Sequence, residues 1–292
     1  MITAKNKILL PILLSLMSSR TILGGPSRLA TPQELVQRAV ANEIREADAP
    51  GHYMYRMRSE SAEGVTTKEV IETKDWLIAR LIGKDGRPPS PRQKRREDER
   101  LTRLLTNKAA LEQESEDLKK NEQHVRELFK ALPAAFDYQY AGREQGKGAD
   151  ILIRLNFHPQ PQFRPPTQAL HVLEGMTGTM LIDATAGRIV RIDARLTQPV
   201  TFAWGILARL DAGGTFLLEQ RDVGNGRWQM SLLALHFTGK ILLFKKLDID
   251  STTTTSDFRR MPEDMTLLEG LERLKSQDAM DKETRMPKKS RP

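Results

Sequence analysis

The sequence predicts an α+β fold: a curved antiparallel sheet forming an open half-barrel, with packing helices and a charged helical insertion. Three observations predict it. The stretch Gly175–Asp250 reads as strands joined by very short turns, and several of those strands are apolar on both parities. The clearest helix-start signatures, at Thr31 and Ser90, stand outside that stretch.

In the central stretch, Val190, Ile192, Ala194 and Leu196 alternate with Arg191, Asp193 and Arg195, the period of a half-buried strand. Ala212, Gly213 and Gly214 form a turn, and Thr215–Arg221 is the next strand. Val223 to Gly226 is a tight hairpin turn, because Asn225-Gly226 accepts positive φ at both central positions. In Arg227–Thr238, Trp228, Met230, Leu232 and Ala234 share one parity, and Leu233, Leu235 and Phe237 share the other. Thr238 to Lys240 reads as a further turn before a strand over Ile241–Asp250. Strands apolar on both sides need cover on both, from a barrel interior and from helices or another layer.

Thr31, Pro32 and Glu34 have capping-box spacing with Pro at the first helical position. The helix Thr31–Asp48 carries an apolar stripe of Leu35, Val36, Ala39, Val40, Ile44 and Ala47. Tyr53, Tyr55 and Met57 alternate in a strand, and Thr66–Leu81 holds one or two more, with Trp76 and Ile78 on one parity. Ser90, Pro91 and Gln93 repeat the helix-start signature and open the insertion, residues 90–132. Leu104, Leu111, Leu118, Val125 and Leu132 recur every seven residues, and one apolar position per heptad is too thin for a self-sufficient coiled coil. The insertion is therefore a solvated helix or helical hairpin leaning on the sheet, or a partner-binding arm.

Pro133 reads as its end. Two strands follow, on Phe136, Tyr138 and Tyr140 and on Ile151, Ile153, Leu155 and Phe157, and Pro159–Pro166 is an extended loop. Ser251–Ser256 reads as a polar connection, and Pro262 opens a helix with Leu267, Leu268, Leu271 and Leu274. Residues 276–292 are polar and basic without an apolar period, as a disordered tail is.

At 292 residues the chain has a net charge of +8, with 29% charged and 5% aromatic residues, so part of its length lies outside a core. It has no cysteine, which excludes disulfides, thiolate metal sites, Cys nucleophiles and lipid attachment through an N-terminal Cys. Lys5 and Lys7 precede the apolar run Ile8–Met17, the layout of a signal peptide over 1–25, although no Ala-x-Ala follows. An uncleaved anchor or a buried N-terminal segment are the alternatives. A single half-barrel domain over 26–275 is expected, in a periplasmic or secreted protein.

Chemical motifs are absent. No two of His52, His124, His158, His171 and His236 stand at metal-binding helical spacing. Gly142–Gly148 is one residue short of a P-loop, and the calcium-like start at Asp248 and Asp250 has Thr253 and Arg259 where Gly and Glu are required. No metal, no cofactor and no catalytic constellation is expected, and the chain is read as no enzyme. The positive charge comes without a nucleic-acid module, so nucleic acid is not an expected partner. Anionic lipid headgroups at a membrane surface suit it better.

The signal-like start, the helix Thr31–Asp48, the strand Tyr53–Met57, the Glu72–Trp76 segment and the closing strands of Gly175–Asp250 together resemble the LolA/LolB-like periplasmic lipoprotein-carrier superfamily. The resemblance covers residues 30–275, with 90–132 as an added insertion. It implies an open half-barrel whose helices plug the concave side, with an apolar cavity for acyl chains. On that reading the cavity candidates are Tyr53, Tyr55, Trp76, Val190, Ile192, Trp204, Phe216, Trp228, Met230, Leu232 and Leu243. The alternative is that they form a filled core. The expected function is a carrier or sensor of lipid or lipoprotein acyl chains. The competing one is a structural or regulatory module that binds an envelope protein through the insertion.

Overall fold

The computed structural model describes residues 30–48, 51–146, 150–203, 207–241 and 245–285. The signal-like segment lies outside them. The named elements belong to the unit that begins at Thr31. In chain order they are α1 (Pro32–Ala47), β1 (His52–Ser61), β2 (Gly64–Glu72), β3 (Leu77–Lys84), α2 (Pro91–Thr106), α3 (Lys108–Ala135), β4 (Phe136–Gln145) and β5 (Ile151–Pro159). A 3₁₀ segment (Gln168–Gly175) precedes β6 (Met176–Asp183), β7 (Ile189–Leu196), β8 (Val200–Ala203) and β9 (Leu207–Leu210). β10 (Thr215–Asp222), β11 (Trp228–Ile241), β12 (Lys245–Met261) and α4 (Leu267–Arg285) complete the chain.

The strands form one curved, 12-stranded antiparallel sheet in the order β3-β2-β1-β12-β11-β10-β7-β6-β5-β4, and the β8–β9 hairpin joins it where β9 pairs β11. β3 and β4 are its two edges and do not pair, so the barrel is open. The helix starts follow the local chemistry. Thr31 and Glu34 exchange side-chain bonds to each other's backbone N–H at 3.2 and 2.7 Å, and Ser90 and Gln93 do the same at 3.3 and 2.8 Å.

Several expected boundaries move, each for a physical reason. Thr238 to Lys240 is no turn: β11 runs through it, and Gly239 lets β9 come close, since a Cβ there would run into the Arg209 carbonyl oxygen. Ser251–Ser256 is no connection, because β12 runs straight through it and pairs with β1 on one side and β11 on the other. β-branched threonines suit that doubly paired position. Pro133 sits inside α3, which ends at Ala135, and the Pro133 carbonyl accepts a bond from the Gln33 side chain of α1. Pro262 is followed by a turn, and α4 starts at Leu267 after a Thr266–Glu269 reciprocal cap. α4 also continues to Arg285, into the stretch that composition reads as a tail.

Cross-strand partners share a face of the sheet, so the register traces each face from end to end. The inner face passes through Tyr138, Phe157, Met180, Ile192, Leu218 and Leu233, then Thr253, Ser59 and the odd-numbered positions of β1, ending at Val70 and Ala79. Its β4–β7 and β10 half is covered by α1 and the C-terminal part of α3, with Val36, Val40, Phe129 and Leu132 packed against Leu155, Met180, Ile192 and Leu218. Met54, Ile71 and Ile78 have the opposite parity, and on that outer face they pack with Leu101, Leu104 and Leu111 of the insertion and Leu271 and Leu274 of α4.

The insertion thus serves both faces. At about 1.5 Å per residue, α3 is long enough to pass from the outer layer round the β3 edge to the inner one. It seals that edge on the way, together with α2: Ser115 Oγ accepts from Leu77 N (3.4 Å), Arg100 donates to the Ala79 carbonyl (2.6 Å), and Glu97 accepts from Leu81 N (2.8 Å).

Candidate functional site

Between the two ends of the inner face lies a strip that is neither filled nor polar throughout. On β11 and β12 it carries Met230, Leu233, Leu235, Leu247 and Ile249, all half-buried against the margin of the main core. Beside them runs a hydroxyl seam of Ser251, Thr253 and Ser59, in which Ser59 Oγ lies 3.2 Å from Thr253 Oγ1. Beyond the seam, Met57 and Tyr55 are half-buried against Val70, Leu77 and Ala79. The Thr255 hydroxyl bonds the Met230 carbonyl. The strip is a half-buried apolar surface with a neutral polar stripe, and no carboxylate, histidine or cationic side chain is among the residues just named.

Two bulges decide which candidates reach it. Leu232 opposes Glu219 and Met230 opposes Gln220, so Ser231 is the extra residue and parity changes there. Met230 and Leu233 therefore face inward, whereas Leu232 faces outward with Glu219. In β7 the pairing jumps from Leu181–Arg191 to Ile182–Ile189, which makes Val190 the extra residue and places the fully buried Ile189 inward.

The remaining candidates scatter. Ile192 is buried in the filled half, and Phe216 packs at its margin. Tyr53 and Tyr55 close on Phe258, at 6.2 Å edge-on and 5.3 Å stacked. Trp76 sits in the β2–β3 turn, tied to Thr73, and packs on the outer cluster. Trp228 lies under the Arg188 guanidinium at 5.8 Å. Trp204 and Leu243 lie outside the described residues. Met57, Leu233, Leu235, Leu247 and Ile249 were missed as candidates, although the double-sided apolar pattern of the β11 sequence pointed to Leu233 and Leu235.

One buried charge cluster positions the helical cover. Arg188 Nε and Nη2 donate to the two carboxylate oxygens of Glu43 at 2.9 and 2.6 Å, and Ile189 N donates to Glu43 Oε1 at 3.0 Å. Glu46 forms ion pairs with Arg188 at 3.3 Å and Arg227 at 3.1 Å. A two-toothed, almost fully buried pair of this kind holds α1 in one register on β7.

At the sealed edge, burial works to raise the Glu97 carboxyl. Its bonds to Arg100 and Leu81 N and the nearby Arg80 charge win, holding it below its ordinary 4.5. Burial pushes the Tyr138 hydroxyl up, where it donates to the Leu132 carbonyl at 2.9 Å. No group of three or more His, Asp or Glu side chains able to hold a metal occurs among the described residues. Two shallow surface concavities of about 520 and 540 Å³ lie on α2 and the turn before it, and neither borders the strip.

No protein-family model and no curated protein matches the chain. Two solved structures are similar to it in part. One is a DUF1329 family protein from Desulfovibrio piger ATCC 29098, with a TM-score of 0.28 and 12% identity over 79% of this chain and 93% of that one. The other is MucB in complex with MucA(peri), with a TM-score of 0.24 and 9% identity over 77% of this chain and 94% of that one. At those scores nothing about ligand or partner passes from either protein to this one.

Proposed function

We propose that this chain is a non-enzymatic protein of the bacterial envelope that holds an acyl chain, from a lipid or a lipidated partner, along the inner-face strip. The observation that supports this is the strip itself. Met57, Met230, Leu233, Leu235, Leu247 and Ile249 keep apolar surface partly open between regions that are packed. Apolar area left wet costs about 25 cal/mol per Å², and an acyl chain laid along the strip removes that cost. The hydroxyl seam offers donors to a carbonyl or ester group beside the chain. A periplasmic or secreted location belongs to the same reading and rests on Lys5, Lys7 and the Ile8–Met17 run.

A partner-binding role for the insertion as a free arm has less support. Leu101, Leu104, Leu111, Phe129 and Leu132 are buried in the cores, so the insertion is part of the fold.

Native mass spectrometry of protein purified from its own host is expected to show bound lipid, and the folded protein to take up a fluorescent fatty acid. Leu233→Trp fills the strip and should weaken that uptake about tenfold, a change of about 1.4 kcal/mol. Leu232→Trp, one residue away on the outer face, should leave uptake intact. Protein that purifies without lipid and takes up no fatty acid refutes the reading.

A further inference from the structure

From Lys84 to Arg96 the chain carries six cations and a single carboxylate. We propose that the outward face of α2, with the turn before it, docks on a surface of anionic phospholipids. This goes beyond the acyl-chain reading and does not depend on what the inner face holds.

Three of the four local acids are engaged by groups of the fold, and the fourth, Glu99, is exposed beside Arg95 and Arg103, which leaves the face with an excess of positive charge. Asp85 is turned toward the β1–β2 hairpin, where its Oδ1 accepts from Val65 N at 3.0 Å. Glu97 is held by Arg100 and Leu81 N, and Asp98 pairs with Arg80 at 3.1 Å. Arg92, Arg95, Arg96 and Arg103 are exposed, and no ion pair engages them among the described residues. The first turn of α2 has no acidic residue, so its cations stand at the positive end of the helix dipole without compensation. That arrangement costs stability in isolation and is relieved by an anionic surface.

Geometry joins these charges into one face. Lys84 and Arg87 line the concavity of about 520 Å³ with Asp85, the N-cap Ser90 and Gln93 of the first turn. Further along the helix, Arg95 and Arg103 line the shallow one of about 540 Å³ together with Asp98 and Glu99, so the cationic excess is greatest at the N-terminal end of α2. Lipid suits this face better than nucleic acid. No aromatic side chain is interleaved between Lys84 and Thr106 for bases to stack on. Leu105, 40% exposed at the end of α2, offers an apolar contact at the headgroup boundary instead.

The test is co-sedimentation of the whole protein with vesicles of mixed phosphatidylcholine and phosphatidylglycerol, against pure phosphatidylcholine. Wild-type protein is expected to bind the mixed vesicles only and to be released by salt. Each cation near such a surface contributes about fivefold in affinity, so the triple variant R92Q/R95Q/R96Q should bind about a hundredfold more weakly. A control with the same net charge, R143Q/K240Q/K245Q, should bind as wild type does. All six positions are exposed, and unchanged melting temperatures verify that both variants fold. Equal losses in the two variants, no binding by wild type, binding to neutral vesicles, or preferential capture by duplex DNA each overturn the proposal.

Discussion

The two halves of the inner face are built from the same kind of strand and end in different states. Over β4–β7 and β10, Leu155, Met180, Ile189 and Leu196 are at 0% exposure beneath α1 and the end of α3. Over β11, β12 and β1, Met230, Leu233, Leu235, Leu247, Ile249 and Met57 stay half-buried, although Phe237, Thr255 and Tyr53 on the same face are buried. The difference lies in the cover and not in the hydrophobicity of the strands, since Met230, Leu233 and Leu235 are as apolar as their neighbours. α1 is held over the filled half by the Glu43–Arg188 pair, and that anchorage leaves the middle of the sheet only partly covered.

The sharpest way to break the comparison is to release α1. Arg188→Ala leaves Glu43 buried and unpaired, and should cost about 3–5 kcal/mol in urea denaturation. A Glu43→Leu/Arg188→Met double variant should recover most of that loss, because apolar side chains of similar volume avoid the uncompensated charge. If the single variant unfolds at the wild-type midpoint, the pair does not hold the helix.

A milder test truncates one residue in each half. Leu155→Ala, in the filled half, should cost about 3 kcal/mol, while Leu233→Ala in the strip should cost about 1 kcal/mol, because a half-buried site leaves little cavity behind. Equal costs would mean that the strip is packed as tightly as the core.

The smallest effect concerns the β3 edge and its pH dependence. The Glu97 carboxyl lies below its ordinary 4.5 in the folded protein. Its contribution is therefore fully present above that value and lost as pH falls through the depressed one. Glu97→Gln should lower stability by about 1–2 kcal/mol near neutral pH, the order of one buried hydrogen-bonding group left badly matched. It should also flatten the acid limb of the stability curve. A variant whose acid limb superimposes on that of wild type would show that the edge is held by other groups.

Local signals in the chain were reliable where local chemistry decides. The caps at Thr31 and Ser90 and the Asn225-Gly226 hairpin, with φ of 57° and 72°, stand where the residues put them. The Thr266–Glu269 cap and the Asn107 break, where Asn107 Oδ1 accepts from Ala110 N at 3.0 Å, were equally legible and were passed over. The Gly239 and Ser251–Ser256 readings failed because a glycine or a threonine run has two meanings. Each is a turn signal in isolation and a close-approach or paired-strand residue once a neighbouring strand is supplied.

The site was legible only in outline. The double-sided apolar pattern of β11 announces that an inner surface exists. Which residues line it depends on the bulges at Ser231 and Val190, and a one-residue bulge is invisible to a period-two count. What the residues determined by themselves, then, was the α+β class, the helix starts, the tight hairpins and the presence of strands covered on both faces. All of these arise within a few positions along the chain. Only the tertiary structure decided that β1 pairs with β12, that α3 rounds one edge to serve two cores, and that the middle of the inner face remains half-filled. Those follow from register and from the placement of helices on strands, which couple residues more than a hundred positions apart, as Glu43 and Arg188 are.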